Sequence, residues 1–173
     1  MSLLATDRLN LTPLAPVHRA LYCRLYTDPQ VMRHIGACLD RAKAEHGFAL
    51  ALRAWDSPSP SNLVWSMDIR KNAVSAGLLG LRMQGEDAEV GALILPEFQA
   101  SGLATEAIAA IADHAFAILG LRRLFTRHRR EHVAAAALMR RLGFSALPEV
   151  ADDPLGQRWA LEPKSAERKA AGG

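Results

Sequence analysis

Three apolar segments in the middle of the chain have the length and spacing of consecutive β-strands. They cover residues 63–70, 77–83 and 89–95, and short turns rich in glycine and charged residues separate them. Such closely spaced strands favour an antiparallel meander. The segment at 89–95 is an almost unbroken apolar run, which is typical of a strand covered on both faces. Pro96 cannot donate to a strand ladder and is therefore predicted to end this strand.

The segment at 89–95 is followed by a helical pattern and a further strand pattern. From Gly102 to Leu119 apolar residues recur at helical spacing, and Gly120 is suited to cap the helix at its C-terminus. Residues 121–128 then read as a strand. A strand, a helix and a strand in this order predict a β-α-β crossover, whose two strands are parallel and joined in the right-handed sense.

The remaining elements lie before the meander and after the crossover. Alternation predicts a first strand over residues 6–14. Helical spacing predicts helices over residues 16–27, 39–55 and 132–142. A closing hairpin is predicted from the strand patterns of residues 144–150 and 156–161.

Composition changes this picture little. The chain has 173 residues, of which 50% are hydrophobic, so it is large enough for a proper core. It shows neither a secretory signal nor an apolar run long enough for a bilayer, and we expect no membrane partner. Two cysteines, Cys23 and Cys38, are too few for a disulfide framework. We therefore expect one domain over residues 1–163, a polar tail over residues 164–173, and a reducing cytoplasm.

The charge of the chain is mild in sum but uneven in distribution. The net charge is +3, yet seven arginines crowd one short region. This region is either a solvated face or an electrostatic footprint for phosphates. It contains no recognised nucleic-acid motif, so we expect a nucleotide-like cofactor and not a nucleic acid. The arginines are Arg122, Arg123, Arg127, Arg129, Arg130, Arg140 and Arg141.

The junction between residues 89–95 and the long helix has the character of an anion site. The first turn of a helix leaves several backbone N–H groups without partners, and the helix dipole adds a partial positive charge there. Small residues at Ala100, Ser101, Gly102 and Ala104 would let a ligand approach that backbone closely. A diphosphate would suit such a turn. The alternative is an ordinary strand–helix turn that happens to be small.

The same junction carries a family resemblance. The segment Gln99-Ala100-Ser101-Gly102-Leu103-Ala104 matches the (Gln/Arg)-x-x-Gly-x-(Gly/Ala) signature of the GNAT superfamily of N-acetyltransferases. The flanking residues 95–98 and 105–107, the segment from Asp28 to Met32 and the triplet Leu142-Gly143-Phe144 resemble the branch that contains ribosomal-protein N-terminal acetyltransferases. Ala100 departs from that branch, which usually has glycine there, and the loop thereby loses freedom in φ.

The resemblance implies an α/β (α+β) fold and a cofactor. The GNAT fold is a mixed, mainly antiparallel sheet of six to seven strands with about four flanking helices, and acetyl-CoA lies between two parallel strands that splay apart. His132 and Ala135 replace the branch's usual asparagine and serine, which contact the middle of the cofactor. The positions implied to contact acetyl-CoA are Leu93, Ile94, Leu95, Gln99, Ala100, Ser101, Gly102, Leu103, Ala104, Thr105, His132 and Met139.

The resemblance also suggests which residues act on the acceptor. Glu89 begins the strand whose other end presents the thioester, and is the candidate general base; alternatively it is a sheet-edge carboxylate without a task. Many GNAT enzymes use a tyrosine as general acid, but the matching residue here is Met139. Water or His132 could fill that role, or it is vacant. Val31, Met32 and His34 are implied to line the acceptor pocket, or else form an ordinary connection between helices.

Other chemistries find less support in the sequence. His128 and His132 are four residues apart but have no evident further metal ligands, and neither cysteine lies in an electropositive turn. We therefore expect no metal and direct attack of a primary amine on acetyl-CoA in a ternary complex. A protein N-terminal α-amine is the leading acceptor and a small-molecule amine its rival, with a polyamine less favoured. A silent acyl-CoA-binding module and a homodimer are left open.

Overall fold

The predicted meander is the centre of a single mixed sheet. The computed structural model describes residues 3–149 and 155–163 of the chain. All strands found there belong to one sheet, with the order β1-β2-β3-β4-β5-β6-β8-β7. The strands are β1 (Leu4–Ala5), β2 (Leu9–Pro13), β3 (Asn62–Ile69), β4 (Ser75–Gln84), β5 (Asp87–Ile94), β6 (Arg123–His128), β7 (Ser145–Ala146) and β8 (Gln157–Leu161).

The helices cover both faces of this sheet. Single 3₁₀ turns at Pro16–His18 and Pro96–Phe98 precede the first and the fourth helix. The predicted helix over residues 16–27 is present as a 3₁₀ turn followed by an α-helix that ends at Thr27. Asp28 then caps a further short helix, which was not predicted, by accepting from the N–H groups of Gln30 and Val31. The helices are α1 (Arg19–Thr27), α2 (Pro29–Met32), α3 (Arg41–Ala54), α4 (Leu103–Ala117) and α5 (Val133–Arg141).

The sheet confirms the predicted topology and corrects its edges. β3, β4 and β5 form the antiparallel meander, and β5 and β6 are the parallel pair of the crossover. At one edge, β1 is an additional strand that pairs with β2. At the other edge, β7 is only two residues long and lies outside β8, so the predicted segment 144–150 is mostly not a strand. Residues 150–154 and the predicted tail at 164–173 lie outside the described residues.

The parallel pair is joined only at its beginning. Pairing between β5 and β6 covers Asp87 with Arg123, Ala88 with Leu124 and Glu89 with Phe125, although both strands continue for at least three residues beyond it. Past Glu89, β5 keeps β4 as a neighbour and β6 keeps β8. The facing edges therefore diverge and leave a wedge-shaped cleft with Glu89 at its vertex, as the resemblance implied.

Two apolar clusters hold the sheet from opposite faces. One packs Leu9, Leu63 and Leu79 of the strands against Ile111 and other residues of α4. The second joins residues of α1 and α3 to the sheet residues Leu78 and Leu93. β5 contributes to both clusters, which explains the continuous apolar run in its sequence. None of the helices among the described residues has the length and apolar character needed to cross a membrane.

Candidate active site

The turn between β5 and α4 has a row of unused backbone donors. Within the described residues, the N–H groups of residues 100–105 have no hydrogen-bond acceptor, whereas that of Glu106 donates to the carbonyl of Gly102. The Gln99 side chain donates to the Ile94 carbonyl at 3.1 Å, which folds the turn back over the end of β5. Six successive free donors at a helix N-terminus form a site for an anion such as a diphosphate.

Two residues of this turn have left-handed backbone conformations. Gly102, which precedes the first helical residue, has φ of +79°, and Ala100 has φ of +57°. Glycine accepts this conformation without penalty, while an L-residue with a Cβ pays about 1–2 kcal/mol. The turn therefore keeps the shape that a glycine-rich loop would have, even though one glycine is replaced by alanine.

An ion pair that the sequence did not predict holds the turn against the N-terminal segment. Glu106 accepts hydrogen bonds from the Thr6 hydroxyl at 2.5 Å, from the Arg8 backbone N–H at 2.7 Å and from Arg8 Nε at 2.6 Å. Arg8 Nη1 also donates to the Ser101 carbonyl at 2.9 Å. Burial raises the pKa of Glu106, but these hydrogen bonds outweigh it and hold the pKa below its ordinary value. One end of the Arg8 guanidinium thus lies beside the free donors, while Glu106 balances its charge.

Glu89 lies at the vertex of the cleft and is bound by two arginines. Its Oε2 accepts from Arg82 Nη2 at 2.6 Å, and its Oε1 accepts from Arg127 Nε at 3.0 Å. Only 19% of the side chain is exposed. Both oxygens are therefore engaged by guanidinium groups. The hairpin register, in which Gln84 faces Asp87, places Arg82 opposite Glu89 and could have revealed this pair.

The arginine-rich region does not behave as one surface. Arg122 pairs with Glu86 at 2.8 Å and Arg123 with Asp87 at 2.5 Å, which joins the beginnings of β5 and β6. These pairs lie at the end of β5 opposite to the turn. Arg130 pairs with Glu149 at 3.0 Å. Much of the predicted phosphate footprint is thus matched by carboxylates, and the pairs of Arg122 and Arg123 stabilise the closed end of the cleft.

Three histidines meet at the beginning of α5. The rings of His34 and His132 are stacked, with centroids 4.2 Å apart and planes inclined by 19°. The ring of His128 approaches His132 edge-on at 6.1 Å. His128 Nε2 accepts from Trp159 Nε1 at 2.8 Å, and its Nδ1 donates to the Arg129 carbonyl at 2.8 Å. His128 and His132 are four residues apart in the sequence, but nothing in the sequence indicated that His34 would join them.

The predicted acceptor and cofactor residues are divided between the core and the cleft. Val31 and Met32 are buried, and Val31 packs in the cluster that contains Leu93 and Leu95. Met139 is also buried, in the cluster formed with α4. Of the predicted acceptor residues, His34 is the one that reaches the start of α5 with its side chain.

A second polar cluster has the residue types of a serine nucleophile site but the wrong hydrogen bonds. The N–H of Ala15 donates to His18 Nδ1 at 3.0 Å, so the ring proton is on Nε2, which lies 3.2 Å from Ser66 Oγ. The Ser66 hydroxyl donates to Asp68 at 2.6 Å. A histidine that donates to the serine cannot deprotonate it. Burial lowers the pKa of His18, with Asp68 opposing, and the cluster is a buried structural network.

The structure offers no sign of metal chemistry or paired cysteines in the part it describes. No group of three potential metal-ligating side chains occurs among residues 3–149 and 155–163. Cys23 is buried in the protein, Cys38 is exposed, and both are free thiols.

Comparisons with solved structures show the same fold in acetyltransferases. An acetyltransferase from Agrobacterium tumefaciens is 23% identical with a TM-score of 0.81, covering 94% of this chain and 95% of its own. A ribosomal L7/L12 α-N-protein acetyltransferase in complex with coenzyme A is 16% identical with a TM-score of 0.78, covering 93% and 98%. A spermidine N-acetyltransferase from Vibrio cholerae, in complex with CoA and spermine, is 18% identical with a TM-score of 0.78, covering 91% and 96%.

The family assignment rests on the sequence as well as on the fold. No curated protein matches the chain significantly. The family model described as an acetyltransferase (GNAT) domain matches residues 8–145, which include the turn, Glu89 and the histidine cluster. The chain therefore belongs to the GNAT acetyltransferase family and is an acetyl-CoA-dependent N-acetyltransferase.

Proposed function

We propose that the protein transfers the acetyl group of acetyl-CoA to the α-amine of a protein or peptide N-terminus. The observation that carries this choice of acceptor is the state of Glu89, whose two carboxylate oxygens are engaged by Arg82 and Arg127. Because Glu89 is bound by two arginines, the site favours an acceptor amine that has already lost its extra proton in solution. At pH 7.5 an α-amine of pKa about 7.7–8.0 is roughly one third neutral, but a lysine amine of pKa about 10.4 only about 0.1%.

The cofactor is proposed to occupy the turn and the cleft in succession. The free N–H groups of residues 100–105 and the nearby Arg8 would hold the diphosphate. The pantetheine arm would then follow the open edge of β5 past Leu93 and Ile94, where β6 no longer pairs. The acetyl group would thereby point into the cleft towards its vertex, and His34 and His132 lie at the open end, where β6 leads into α5. Acetyl-CoA binding supplies the activated thioester, and the residues named here position it.

The proposed reaction is direct attack of the amine on the thioester. The serine–histidine–aspartate cluster has hydrogen bonds that do not activate its hydroxyl. Cys23 is buried and packed among the residues of α1. These arrangements support a ternary complex over a covalent acyl-enzyme.

Polyamines are the acceptors that the charges of the cleft disfavour most. The spermidine acetyltransferase shares the fold, but here the carboxylates at the cleft face arginines. Glu89 pairs with Arg82 and Arg127, and Glu97 pairs with Arg24 at 2.9 Å. A polycation would have to compete with these guanidinium groups. A small amine with an α-amino group, such as a free amino acid, remains the second candidate because its amine has a similar pKa.

The acceptor is tested with matched amines under one assay. Release of CoA thiol is measured with a lysine-free peptide, with the same peptide blocked at its N-terminus but containing one internal lysine, with free amino acids and with spermidine. The free N-terminal peptide should give a kcat/KM at least about tenfold above the others, and mass spectrometry should place the acetyl group on its α-nitrogen. A preference for spermidine or for the internal lysine contradicts the proposal, and a preference for a free amino acid selects the second candidate.

A further inference from the structure

The stacked histidines bridge the two sides of the cleft. His34 follows α2, whose Val31 packs with Leu93 and Leu95 on the side of β5. His132 precedes α5 and follows β6, on the other side of the divergence. Since their rings are in stacking contact at 4.2 Å, the pair spans the opening between β5 and β6. The pair thus lies at the end of the cleft where β5 and β6 are farthest from their shared pairing.

The hydrogen bonds of the cluster leave one imidazole available. His128 uses both ring nitrogens, with Trp159 and the Arg129 carbonyl. His34 Nε2 accepts from Arg33 Nε at 3.1 Å. Neither ring nitrogen of His132 has a hydrogen-bond partner within the described residues, and its side chain does not cap α5. His132 is therefore the member of the cluster that can accept a proton from a ligand without breaking an existing contact.

We propose that His132 accepts the proton of the attacking amine and that His34, stacked on it, is a positioning residue that holds its ring in the cleft. This inference rests on the proposed function, since it concerns the same acyl transfer. It assigns to His132 a role that Glu89 was expected to fill. Glu89, with both oxygens bound by arginines, then serves to hold the vertex of the cleft.

The other candidates for proton transfer are less accessible. Met139 occupies the position where many GNAT enzymes have a tyrosine, and it has no proton to exchange. The two tyrosines of the chain, Tyr22 and Tyr26, belong to α1, where their rings stack on each other. Burial raises the pKa of Tyr22 well above its ordinary value, which makes it a poor proton acceptor or donor.

The surroundings of His132 lower the pKa of its imidazole and thereby favour the neutral form. Burial lowers the pKa of His132, and His34, His128 and Arg33 act in the same direction. Glu131 is the one neighbour that opposes them. These groups come from the segment after α2, from β6 and from the residue preceding His132, so they face the ring from each element packed around it. A neutral imidazole is the form that can accept a proton.

The proposed step conserves atoms and charge. The amine nitrogen forms a bond to the carbonyl carbon, and the carbonyl π electrons move to oxygen. The nitrogen then loses a proton to His132. When the carbonyl re-forms, the C–S bond breaks, and the thiolate sulfur receives the proton that His132 holds. The products are the N-acetylated amine, free CoA thiol and His132 in its starting state.

The test is the pH dependence of turnover in His132→Gln. Rates are measured with the amine that the wild-type enzyme uses best, so the test does not depend on which acceptor is right. The wild-type rate should fall as the pH drops through the pKa of His132, below about 6.5. In His132→Gln we expect kcat to fall about 100-fold, this acidic limb to disappear, and the KM for acetyl-CoA to change less than about threefold. His46→Gln, on the exposed side of α3, is the matched control and should leave all three unchanged.

A second variant separates the positioning role of His34 from a structural one. His34→Ala removes a neighbour that lowers the pKa of His132, so the acidic limb should move to higher pH while kcat falls less than in His132→Gln. A His132→Gln enzyme with normal kcat and an unchanged limb overturns the inference, and loss of the limb in Glu89→Gln would then assign the proton acceptor to Glu89. A His132→Gln enzyme with a raised KM for acetyl-CoA and a normal kcat would also overturn the inference, and would show that His132 contacts the pantetheine arm. Neither result would affect the acceptor assay of the proposed function.

Discussion

The anion turn, residues 99–105, and the histidine pair, His34 and His132, are the two halves of the site and arise in different ways. The turn is made by one continuous segment, and its donors are free because a helix begins there. The histidine pair joins two residues about a hundred positions apart, one before the meander and one after the crossover. The turn can therefore be recognised from a short motif, while the pair exists only in the folded protein.

This difference has a consequence for how each half responds to substitution. The turn depends on backbone conformation and on what surrounds the free N–H groups, so its function is sensitive to Cβ atoms and to charge. The pair depends on side-chain chemistry, and the segment that carries His34 is held by the hydrogen bond from Arg33 and by the packing of α2 through Val31. Changes in the turn should affect cofactor affinity, whereas changes in the pair should affect turnover.

The largest effect should come from Gly102→Glu, which places a carboxylate at the anion turn. Like charges in a binding site cost several kcal/mol, so we expect acetyl-CoA affinity measured by calorimetry to fall at least about 100-fold. Gly85→Glu is the matched control, because Gly85 has a similar φ of +64° but lies in the β4–β5 turn with open space around it. Both variants should lose similar stability from the left-handed residue.

Affinity lost equally in the Gly85 and Gly102 variants would mean that strain and not the ligand site is responsible. Acetyl-CoA affinity retained in both variants would show that the turn does not bind the cofactor, and would contradict the proposal that the turn determines affinity while the histidine pair determines turnover. In either case, the stability of the two variants under urea shows whether they are folded.

A smaller effect is expected from Ala100→Gly. The left-handed conformation of alanine destabilises the folded protein by about 1–2 kcal/mol, and glycine removes this cost. Glycine also loses more conformational entropy on folding, which destabilises the variant by roughly 0.5–1 kcal/mol. Urea unfolding should therefore show a net stabilisation of about 0.5–1 kcal/mol. Ala73→Gly, also at φ of +57°, should give the same gain in the turn between β3 and β4. Only Ala100→Gly should weaken acetyl-CoA binding, by no more than about threefold, because the ligand must order a freer turn. An equal loss of acetyl-CoA affinity in both variants would contradict a local role for Ala100 in cofactor binding.

The smallest effect is expected from the double variant Arg122→Gln, Arg123→Gln. These arginines pair with Glu86 and Asp87 at the closed end of the cleft, away from the turn. Acetyl-CoA affinity should change less than about twofold, and its salt dependence should match that of the wild type. A loss of acetyl-CoA affinity that disappears at high salt would indicate that these arginines do bind phosphate groups of the cofactor.

Much of the fold could be predicted from the sequence, because its signals are local. The meander, the crossover and the C-terminal cap of α5 follow from apolar spacing, short turns and single glycines; Gly143 adopts φ of +81°, and the Phe144 N–H donates to the Met139 carbonyl. The short helix α2 and the edge strand β1 were missed, and β7 was predicted too long. Each is only a few residues long, and such segments depend on what pairs or packs with them.

The candidate site could likewise be predicted only where its sequence signal is local. Sequence alone determined the anion turn, since a strand end, small residues and a helix start are consecutive and their backbone chemistry is independent of distant residues. Only the tertiary structure decided the long-range partners of side chains: Arg8 with Glu106, Arg127 with Glu89, and His34 with His132. The reason is physical. Hydrogen-bond availability and charge at a side chain depend on neighbours within a few ångströms, and in this fold those neighbours come from elements far apart in the chain.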